Sequence, residues 1–541
     1  MPASSPKSRL RLVLEALCIV LLCSAAAAWW QWRTGAWNVE TVRHADESAH
    51  FMNSLAVADY LRTGCTATPL AFTKDLYLHY PVLAPLVWPP LFHLLAGAWM
   101  AVFGLSEPSA LAFVALAAGA GLALFFALGR QAFGLPAAVA LTVALWSLRL
   151  MADLSTAIMI DVLLVAGALA CAWSCARWLE QPDTQWTRAG LAAGLWGAVK
   201  ANGLAALPAL LLAALLWRLP RRHWPRALYA LALAAALSVP FAVVSALLLR
   251  GHNPPESGGW AAAFDRLAWY EMNVRWQLGI AVEALAAAGL AWTCIALWKR
   301  RASSLDASMF ASLAALLVFH AALPLSHNER YLAPMLPFLL YFAAASGRWL
   351  PWRGGPALAA ASAAVFLLVF RMHVAPQSPA GFRDAAQLLR RSASTPLRVL
   401  VASDELGESA FAAEMAASSP HHRDFVLRAA KTLSDSDWYG GSYHLAAASP
   451  QQTAALLEDL GVQWLVVDHT PSAAARPDQR LILETVASLP DRFPQAARFR
   501  RARHLVLYRA AHPAAPPRRP IAYSLSRSLR ITVSEQSPEG R

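Results

Sequence analysis

Long apolar blocks alternate with short polar segments over the first 375 residues of the chain. Each block is about 18 to 22 residues long, which matches an α-helix that crosses a hydrocarbon core of about 30 Å. Two apolar regions, 85–104 and 190–217, are less certain. The expected fold is a polytopic α-helical membrane protein with about eleven spans and at most about thirteen. The clearer spans lie near residues 9–31, 109–128, 135–150, 157–178, 227–250, 278–298, 305–324, 331–347 and 356–373.

Helix and strand patterns alternate after residue 375, where the long apolar blocks end. We therefore expect a transmembrane domain over residues 1–375, a soluble α/β domain over 376–510 and a flexible tail over 511–541. The α/β segment contains no glycine-rich phosphate loop and no cysteine. Its predicted helices lie at 380–390, 405–416 and 453–460, and its predicted strands lie at 397–402, 463–467 and 503–509.

Composition and charge also favour a membrane protein. Of the 541 residues 57% are hydrophobic and 15% are charged, well below the roughly 25% of charged residues in soluble domains. The net charge of +13 raises the question of nucleic-acid binding, but many basic residues lie in short clusters between predicted spans. Cytoplasmic loops of membrane proteins carry such clusters. We expect a cytoplasmic position, and no nucleic-acid partner, for the clusters that begin at Lys7, Arg218, Lys299 and Arg348.

The same charge pattern predicts which polar segments lie outside the membrane. With a cytoplasmic N-terminus, the first loop at 32–84 lies outside, together with 251–277, 325–330 and the chain after residue 374. This arrangement requires either that 85–104 does not cross, or that 190–217 crosses once instead of forming two half-length helices. The arginine positions favour the first solution, which puts Asp161 at the outer end of its span.

Charged residues in or beside the predicted spans are the main candidates for chemistry. Asp46 and Glu47 begin an amphipathic stretch in the first outer loop. Such an acidic pair either stabilises a helix dipole or takes part in catalysis. Lys200 lies inside an apolar block, where a charge costs at least about 2.5 to 3.5 kcal/mol unless it is paired or hydrated. Its expected partner is Asp161 or a ligand phosphate, unless its amine reaches the membrane interface.

A series of short motifs carries a resemblance to a known superfamily. After Asp46-Glu47 come Tyr80-Pro81, Trp88-Pro-Pro-Leu-Phe-His93, Met159-Ile-Asp161, Val199-Lys200 and Glu329-Arg-Tyr-Leu-Ala-Pro-Met-Leu-Pro337. This order resembles the GT-C glycosyltransferases, in particular the dolichyl-phosphate-mannose protein mannosyltransferases and the bacterial aminoarabinose transferases of lipid A. The resemblance implies an enzyme of the bacterial inner membrane. Such an enzyme moves a sugar from a polyprenyl phosphate carrier to a hydroxyl of a lipid, glycan or protein at the outer face.

The resemblance also implies roles for residues of this chain. Asp46 matches the aspartate that takes the proton of the acceptor hydroxyl, and Glu47 stabilises the charge at the sugar or orients Asp46. A divalent metal stays open, because the histidines of the first loop fit no strong metal-binding spacing. The residues expected to bind the carrier phosphate are Arg330, Tyr331, Lys200 and Lys74. The expected supporting residues are Asp161, Glu329, Tyr80, His79 and Glu271.

Two other functions are compatible with the same pattern. A transporter or flippase of a lipid-linked saccharide also has many spans and buried charges, but it typically has inverted repeats or charges at the membrane midplane. In this chain the polar residues concentrate on one face, in a long first loop. A non-catalytic scaffold with the GT-C fold is the third possibility, and the presence of Asp46 argues against it. The sugar, the carrier length and the acceptor do not follow from the fold.

Overall fold

Helices form nearly all of the regular structure before residue 371 in the computed structural model, which describes residues 6–249, 260–322, 327–370, 372–392, 396–419, 423–435, 443–526 and 531–535. Apolar segments become helices in lipid because every backbone N–H and C=O group has to be satisfied inside the segment. The helices are α1 (Pro6–Thr34), α2 (Glu47–Arg62), α3 (Pro69–His79), α4 (Leu91–Phe103), α5 (Glu107–Phe133), α6 (Leu135–Ser147), α7 (Arg149–Ser155), α8 (Asp161–Glu180), α9 (Trp186–Gly197), α10 (Ala206–Leu216), α11 (Trp224–Leu249), α12 (Trp260–Trp298), α13 (Ser304–Ala322), α14 (Leu336–Ala345) and α15 (Gly355–Phe370).

Several of these helices are candidates to cross a membrane. Within the described residues, six helices are long and apolar enough, and they correspond to α1, α5, α8, α11, α12 and α13. A seventh span results if α6 and α7, which meet at an angle of 69°, are one broken span. The helices α4 and α15 and the segment Ala201–Leu216 are apolar but shorter. The prediction of a polytopic helical membrane protein is confirmed, and the number of eleven spans stays a prediction.

The two less certain regions contain short helices. α4 has 13 residues and rises about 20 Å, so it is too short to cross the hydrocarbon core as a straight helix. Region 190–217 contains α9, a 3-10 segment at Ala201–Ala205 and α10. Lys200 precedes the 3-10 segment and has an extended backbone. Broken helices of this kind are tolerated at membrane depth where they are buried in protein or line a cavity.

Small residues allow the membrane helices to approach one another closely. At Gly289 in α12, an added Cβ would lie 1.7 Å from the carbonyl oxygen of Phe342 in α14. The contact is with backbone, which cannot rotate away as a flexible side chain does. The α12–α14 interface therefore depends on a glycine at this position.

Gly289→Ala is accordingly expected to destabilise the membrane domain by about 1 to 3 kcal/mol, because the two helices have to move apart. The measurement is the apparent Tm of the purified full-length chain in detergent. Gly121→Ala is the matched control, since Gly121 also lies inside a membrane helix but its added Cβ would meet Ala166 at an ordinary 3.6 Å. Equal Tm values for the two variants would contradict the close α12–α14 contact.

The chain after residue 371 forms an α/β domain. Its strands are β1 (Arg398–Ala402), β2 (Phe425–Arg428), β3 (Ser434–Asp435), β4 (His444–Leu445), β5 (Trp464–Asp468), β6 (Gln495–Arg500), β7 (His504–Arg509), β8 (Ala522–Ser526) and β9 (Ile531–Ser534). Five of them form a sheet with the order β2-β1-β5-β7-β6, in which β1 is parallel to β2 and β5, and β7 is antiparallel to β5 and β6. The predicted α/β domain is confirmed. Its helices are α16 (Phe382–Ser392), α17 (Glu405–Ser418), α18 (Ala429–Thr432), α19 (Pro450–Asp459) and α20 (Pro477–Ser488).

The expectation of a flexible tail from residue 511 needs a correction. The strands β8 and β9 pair as an antiparallel hairpin, and the side chains of Tyr523 and Val533 are buried. Glu535 forms an ion pair with Arg398 in β1, and the carbonyl oxygen of Ser524 accepts a hydrogen bond from Tyr77 in α3. The proline-rich segment before the hairpin suggested flexibility, but the alternating apolar residues that follow it add a hydrophobic face to the domain.

Candidate active site

Asp46 and Arg330 form an ion pair between two segments that are far apart in the sequence. Asp46 is the N-cap residue of α2, and Arg330 lies in a 3-10 turn at Glu329–Leu332 shortly before α14. The guanidinium donates from Nη2 to Oδ2 of Asp46 over 2.9 Å, and from Nε to Asn328 over 3.1 Å. The Asp46 side chain is 23% exposed and that of Arg330 is 10% exposed. The pair thus holds a reachable carboxylate against a largely buried cation.

The charge of Arg330 is maintained by nearby carboxylates. Burial alone lowers the pKa of this guanidinium, but the charges of Asp161 and Asp46 raise the pKa above its ordinary value. Arg330 therefore keeps its positive charge at physiological pH, even with little water around it.

Lys200 and Asp161 form a second, fully buried ion pair. Nζ of Lys200 donates to Oδ1 of Asp161 over 2.7 Å. The same Nζ lies 4.9 Å from the centre of the Tyr331 ring, which is the distance of a cation–π contact. Because Tyr331 follows Arg330 directly, the two ion pairs adjoin each other at this corner of the protein.

Glu47 is held by backbone groups. Its Oε1 accepts a hydrogen bond from the N–H of Ile158 over 2.9 Å, and its Oε2 accepts one from the N–H of Arg43 over 3.1 Å. Burial is the largest influence on this carboxyl and raises its pKa, although both backbone hydrogen bonds oppose that change. Glu47 therefore links the first loop to the segment before α8.

A third ion pair was not predicted from the sequence. Arg43 forms an ion pair with Asp153 in α7 and donates to Oγ1 of Thr156 over 2.6 Å. Nε2 of His44 lies 3.1 Å from the other oxygen of Asp153. The available signal was the position of Arg43 and His44 just before Asp46. Their partner is about 110 residues away, so the pair appears only in three dimensions.

His320 packs against the ring of Tyr331, a contact that was not predicted from the sequence. The two rings stack with their centres 5.7 Å apart and their planes at 17°. Nδ1 of His320 lies 3.3 Å from the hydroxyl of Tyr270, and its Nε2 lies 3.3 Å from the amide nitrogen of Asn202. A histidine at the end of the apolar span 305–324 was the sequence signal, because polar side chains inside membrane helices are rare.

Around the Asp46–Arg330 and Lys200–Asp161 pairs, three buried polar atoms lack a hydrogen-bond partner among the described residues. They are Nη1 of Arg330, Oδ2 of Asp161 and Nε2 of His50, which lies one helical turn after Asp46. A buried polar atom without a partner costs about 1 to 3 kcal/mol, so a group of them at one place indicates a ligand site. A guanidinium N–H is well suited to a phosphate oxygen.

Other predicted site residues lie elsewhere, because α3 packs against the C-terminal domain. Nδ1 of His79 is 3.1 Å from the carbonyl oxygen of Asp424, and Tyr80 is buried beside Asp424. Lys74 lies on the same helix, which contacts β2 and β9. None of the contacts described for these three residues reaches Asp46 or Arg330. Phosphate binding by Lys74, and support of the site by His79 and Tyr80, therefore stay predictions.

Glu271 and Glu329 are not part of the buried cluster either. Glu271 is exposed on α12 and forms an ion pair with Arg275 one helical turn away. Glu329 is exposed at the start of the turn that carries Arg330. Within the described ranges, no three His, Cys, Asp or Glu side chains come together as a metal-binding group, and metal dependence stays open.

Comparisons with known proteins identify similar chains. A family model described as dolichyl-phosphate-mannose-protein mannosyltransferase matches residues 87–246. The crystal structure of ArnT from Cupriavidus metallidurans bound to undecaprenyl phosphate is similar with a TM-score of 0.51 and 16% identity, over 92% of this chain and 98% of that chain. The Archaeoglobus fulgidus oligosaccharyltransferase in complex with Zn and sulfate gives a TM-score of 0.50 and 13% identity, over 83% of this chain and 68% of that chain. No curated protein matches the sequence.

Proposed function

We propose that this membrane protein, whose fold is similar to that of ArnT and of the archaeal oligosaccharyltransferase, transfers a sugar from a polyprenyl phosphate carrier to an acceptor hydroxyl. The acceptor belongs to a lipid, a glycan or a protein. Transfer takes place at the outer face of the bacterial inner membrane. The observation that carries the proposal is the Asp46–Arg330 ion pair, in which a carboxylate suited to act as a base lies beside a cation suited to a phosphate.

Asp46 is suited to act as the general base. Its carboxylate lies beside Arg330 and is 23% exposed, so a substrate can reach it. In the transfer, the bond between the anomeric carbon and the carrier phosphate breaks while a bond to the acceptor oxygen forms. The proton of the acceptor hydroxyl passes to Asp46 and from there to water. The positive charge that develops on the sugar is stabilised by the same carboxylate.

Arg330 and Lys200 are suited to receive the leaving phosphate. The electron pair of the broken bond departs with the carrier, which is released as polyprenyl phosphate. Nη1 of Arg330 has no partner among the described residues, and Lys200 lies against the neighbouring Tyr331. A phosphate beside Tyr331 therefore meets two cations in a site with little water, where such interactions are strongest. The bound undecaprenyl phosphate of ArnT supports this class of carrier.

The two ends of α13 support the outer position of the site. Near its first residue, Asp306 forms an ion pair with Arg348, which belongs to a basic cluster expected in the cytoplasm. In its last turn, His320 stacks on Tyr331 of the candidate site. The basic cluster and the Asp46–Arg330 pair therefore lie at opposite ends of one membrane helix.

The test compares membranes from cells that express the wild-type chain, Asp46→Asn or neither. Mass spectrometry of the lipid, glycan and protein fractions is expected to find a sugar-modified product with the wild type alone. The polyprenyl-phosphate sugar is expected to accumulate in the other two samples. Identical products in all three samples, with the protein present at equal amounts, would overturn the proposal.

A further inference from the structure

Glu40 makes an unusual contact between the first loop and the C-terminal domain. Its carboxylate accepts hydrogen bonds from the N–H groups of Ala380, Gly381 and Arg383, over 2.8, 2.9 and 3.1 Å. The side chain is buried, with 3% of its surface exposed. These N–H groups lie just before and in the first turn of α16, so a carboxylate from about 340 residues away satisfies the start of this helix.

Arg383 strengthens the same contact. Its guanidinium donates to the carbonyl oxygen of Val39, the residue before Glu40, over 3.3 Å. It also forms ion pairs with Glu107 at the start of α5 and with Glu414 in α17. One side chain of the C-terminal domain thereby joins the first loop, a membrane helix and a second helix of its own domain.

The segment from Glu40 to Asp46 is closed by hydrogen bonds between Thr41 and Ser48. Oγ1 of Thr41, the residue after Glu40, lies 2.8 Å from Oγ of Ser48. The Ser48 hydroxyl also donates to the carbonyl oxygen of Thr41 over 2.9 Å. Ser48 lies in the first turn of α2, which begins directly after Asp46. Both ends of the segment that carries Asp46 are thus fixed, one by α2 and the other by the C-terminal domain.

Two further hydrogen bonds join the C-terminal domain to the two ends of the first loop. The N–H of Gln377 donates to the carbonyl oxygen of Thr34 over 2.8 Å, at the end of α1. Arg428 in β2 donates to the carbonyl oxygen of Pro81 over 3.3 Å. The first loop is therefore bound to the C-terminal domain on both sides of Asp46.

We propose that the C-terminal domain positions the Asp46 loop, with Glu40 as the positioning residue that joins them; the catalytic consequence rests on the function proposed above. Glu40 touches no reacting group. It fixes the geometry of the base through the 39–48 segment. A displacement of about 1 Å at a catalytic group lowers the rate by about 100-fold. Loss of this anchor is expected to lower kcat and to leave the KM for the lipid-linked donor nearly unchanged.

The experiment has a physical and a kinetic measurement on the full-length chain. Hydrogen exchange by mass spectrometry is expected to become faster both at residues 39–48 and at 380–383 in Glu40→Ala. Glu40→Gln, which keeps one carbonyl oxygen, is expected to give a smaller change. In sugar transfer, kcat is expected to fall about 10- to 100-fold for Glu40→Ala, with the smaller loss for Glu40→Gln. Glu405→Ala is the matched control, because Glu405 is an exposed acid of the C-terminal domain.

Thr41→Val provides a second test of the same segment if Glu40→Ala does not fold. This substitution keeps the size of the side chain and removes its hydroxyl contact with Ser48. It is expected to speed exchange at 39–48 and to lower kcat, with little change at 380–383. Unchanged exchange at 39–48 in the folded variants would overturn the proposal, whatever the protein catalyses. Faster exchange without any sugar transfer by the wild type would instead support the anchor and count against the proposed function.

Discussion

Replacing Asp46 by asparagine is expected to lower kcat for sugar transfer by about 100- to 10,000-fold, the range that a general base contributes. Asparagine has the same size and keeps an oxygen that Arg330 can contact, but its amide cannot accept the proton of an acceptor hydroxyl. It also removes the negative charge that stabilises the positive sugar in the transition state. The apparent Tm is expected to fall as well, because the largely buried Arg330 loses a charged partner, but by less than in Lys200→Met, since Asp46 is 23% exposed and asparagine keeps an oxygen for the guanidinium.

The measurement for Asp46 combines kcat with binding of undecaprenyl phosphate to the purified chain. Binding is expected to stay within a few-fold of the wild type or to become tighter, because Arg330 loses the carboxylate with which it is paired. Asp75→Asn is the matched control, since Asp75 is an exposed acid of the same loop. If Asp46→Asn retains more than a third of the wild-type kcat, Asp46 is not the general base.

Lys200→Met is expected to cause the largest loss of stability among the site variants. Removing one member of a buried ion pair leaves the other charge without compensation, which costs about 3 to 5 kcal/mol. Asp161 would be the remaining charge, with none of its side-chain surface exposed. Sugar transfer is expected to fall as well, because the leaving phosphate loses one of its two cations.

A double variant separates these two effects of Lys200. In Lys200→Met with Asp161→Asn, no buried charge is left unpaired, so most of the stability is expected to return. Sugar transfer is expected to stay low, because the cation is still absent. The measurements are the apparent Tm and kcat of both variants beside the wild type. Recovery of activity together with stability would show that Lys200 has a structural role and does not act on the phosphate.

Part of the candidate site was predictable because charged residues are rare inside apolar membrane segments. Lys200 and Asp161 stand in hydrophobic segments, where a charge needs a partner, and they form an ion pair. For Asp46 and Arg330, which are far apart in the sequence, the resemblance to GT-C enzymes implied one site, and the two side chains form an ion pair.

The remaining contacts depend on how helices pack, which the local pattern does not encode. Asp153 meets Arg43 because the chain bends between α6 and α7. His320 meets Tyr331 because of the way α13 packs against the turn before α14. The sequence carries no signal for the contacts of Glu40, because its partners are backbone N–H groups in another domain. Sequence motifs reveal side chains that need partners, whereas backbone partners carry no residue-specific signal.

The contacts of the first loop with the C-terminal domain show the same limitation. The motif order predicted His79 and Tyr80 as supporting residues of the site. The course of α3 is set by its packing against β2 and the hairpin of the C-terminal domain, which lie hundreds of residues later. Likewise, the burial of Tyr523 in the hairpin became visible only with the domain it covers.

The most direct test of the central claim asks whether the purified protein changes covalent bonds. The wild-type chain in detergent micelles is mixed with the lipid extract of its own membranes, which contains the candidate donors and lipid acceptors, together with the glycan and protein fractions. Mass spectrometry is expected to find one polyprenyl phosphate released for every sugar that appears on an acceptor, and neither product with Asp46→Asn. A flippase moves its lipid between the two sides of a membrane and changes no covalent bond, and a detergent micelle does not have two separate sides. An unchanged donor pool with the folded wild-type protein would therefore contradict the account.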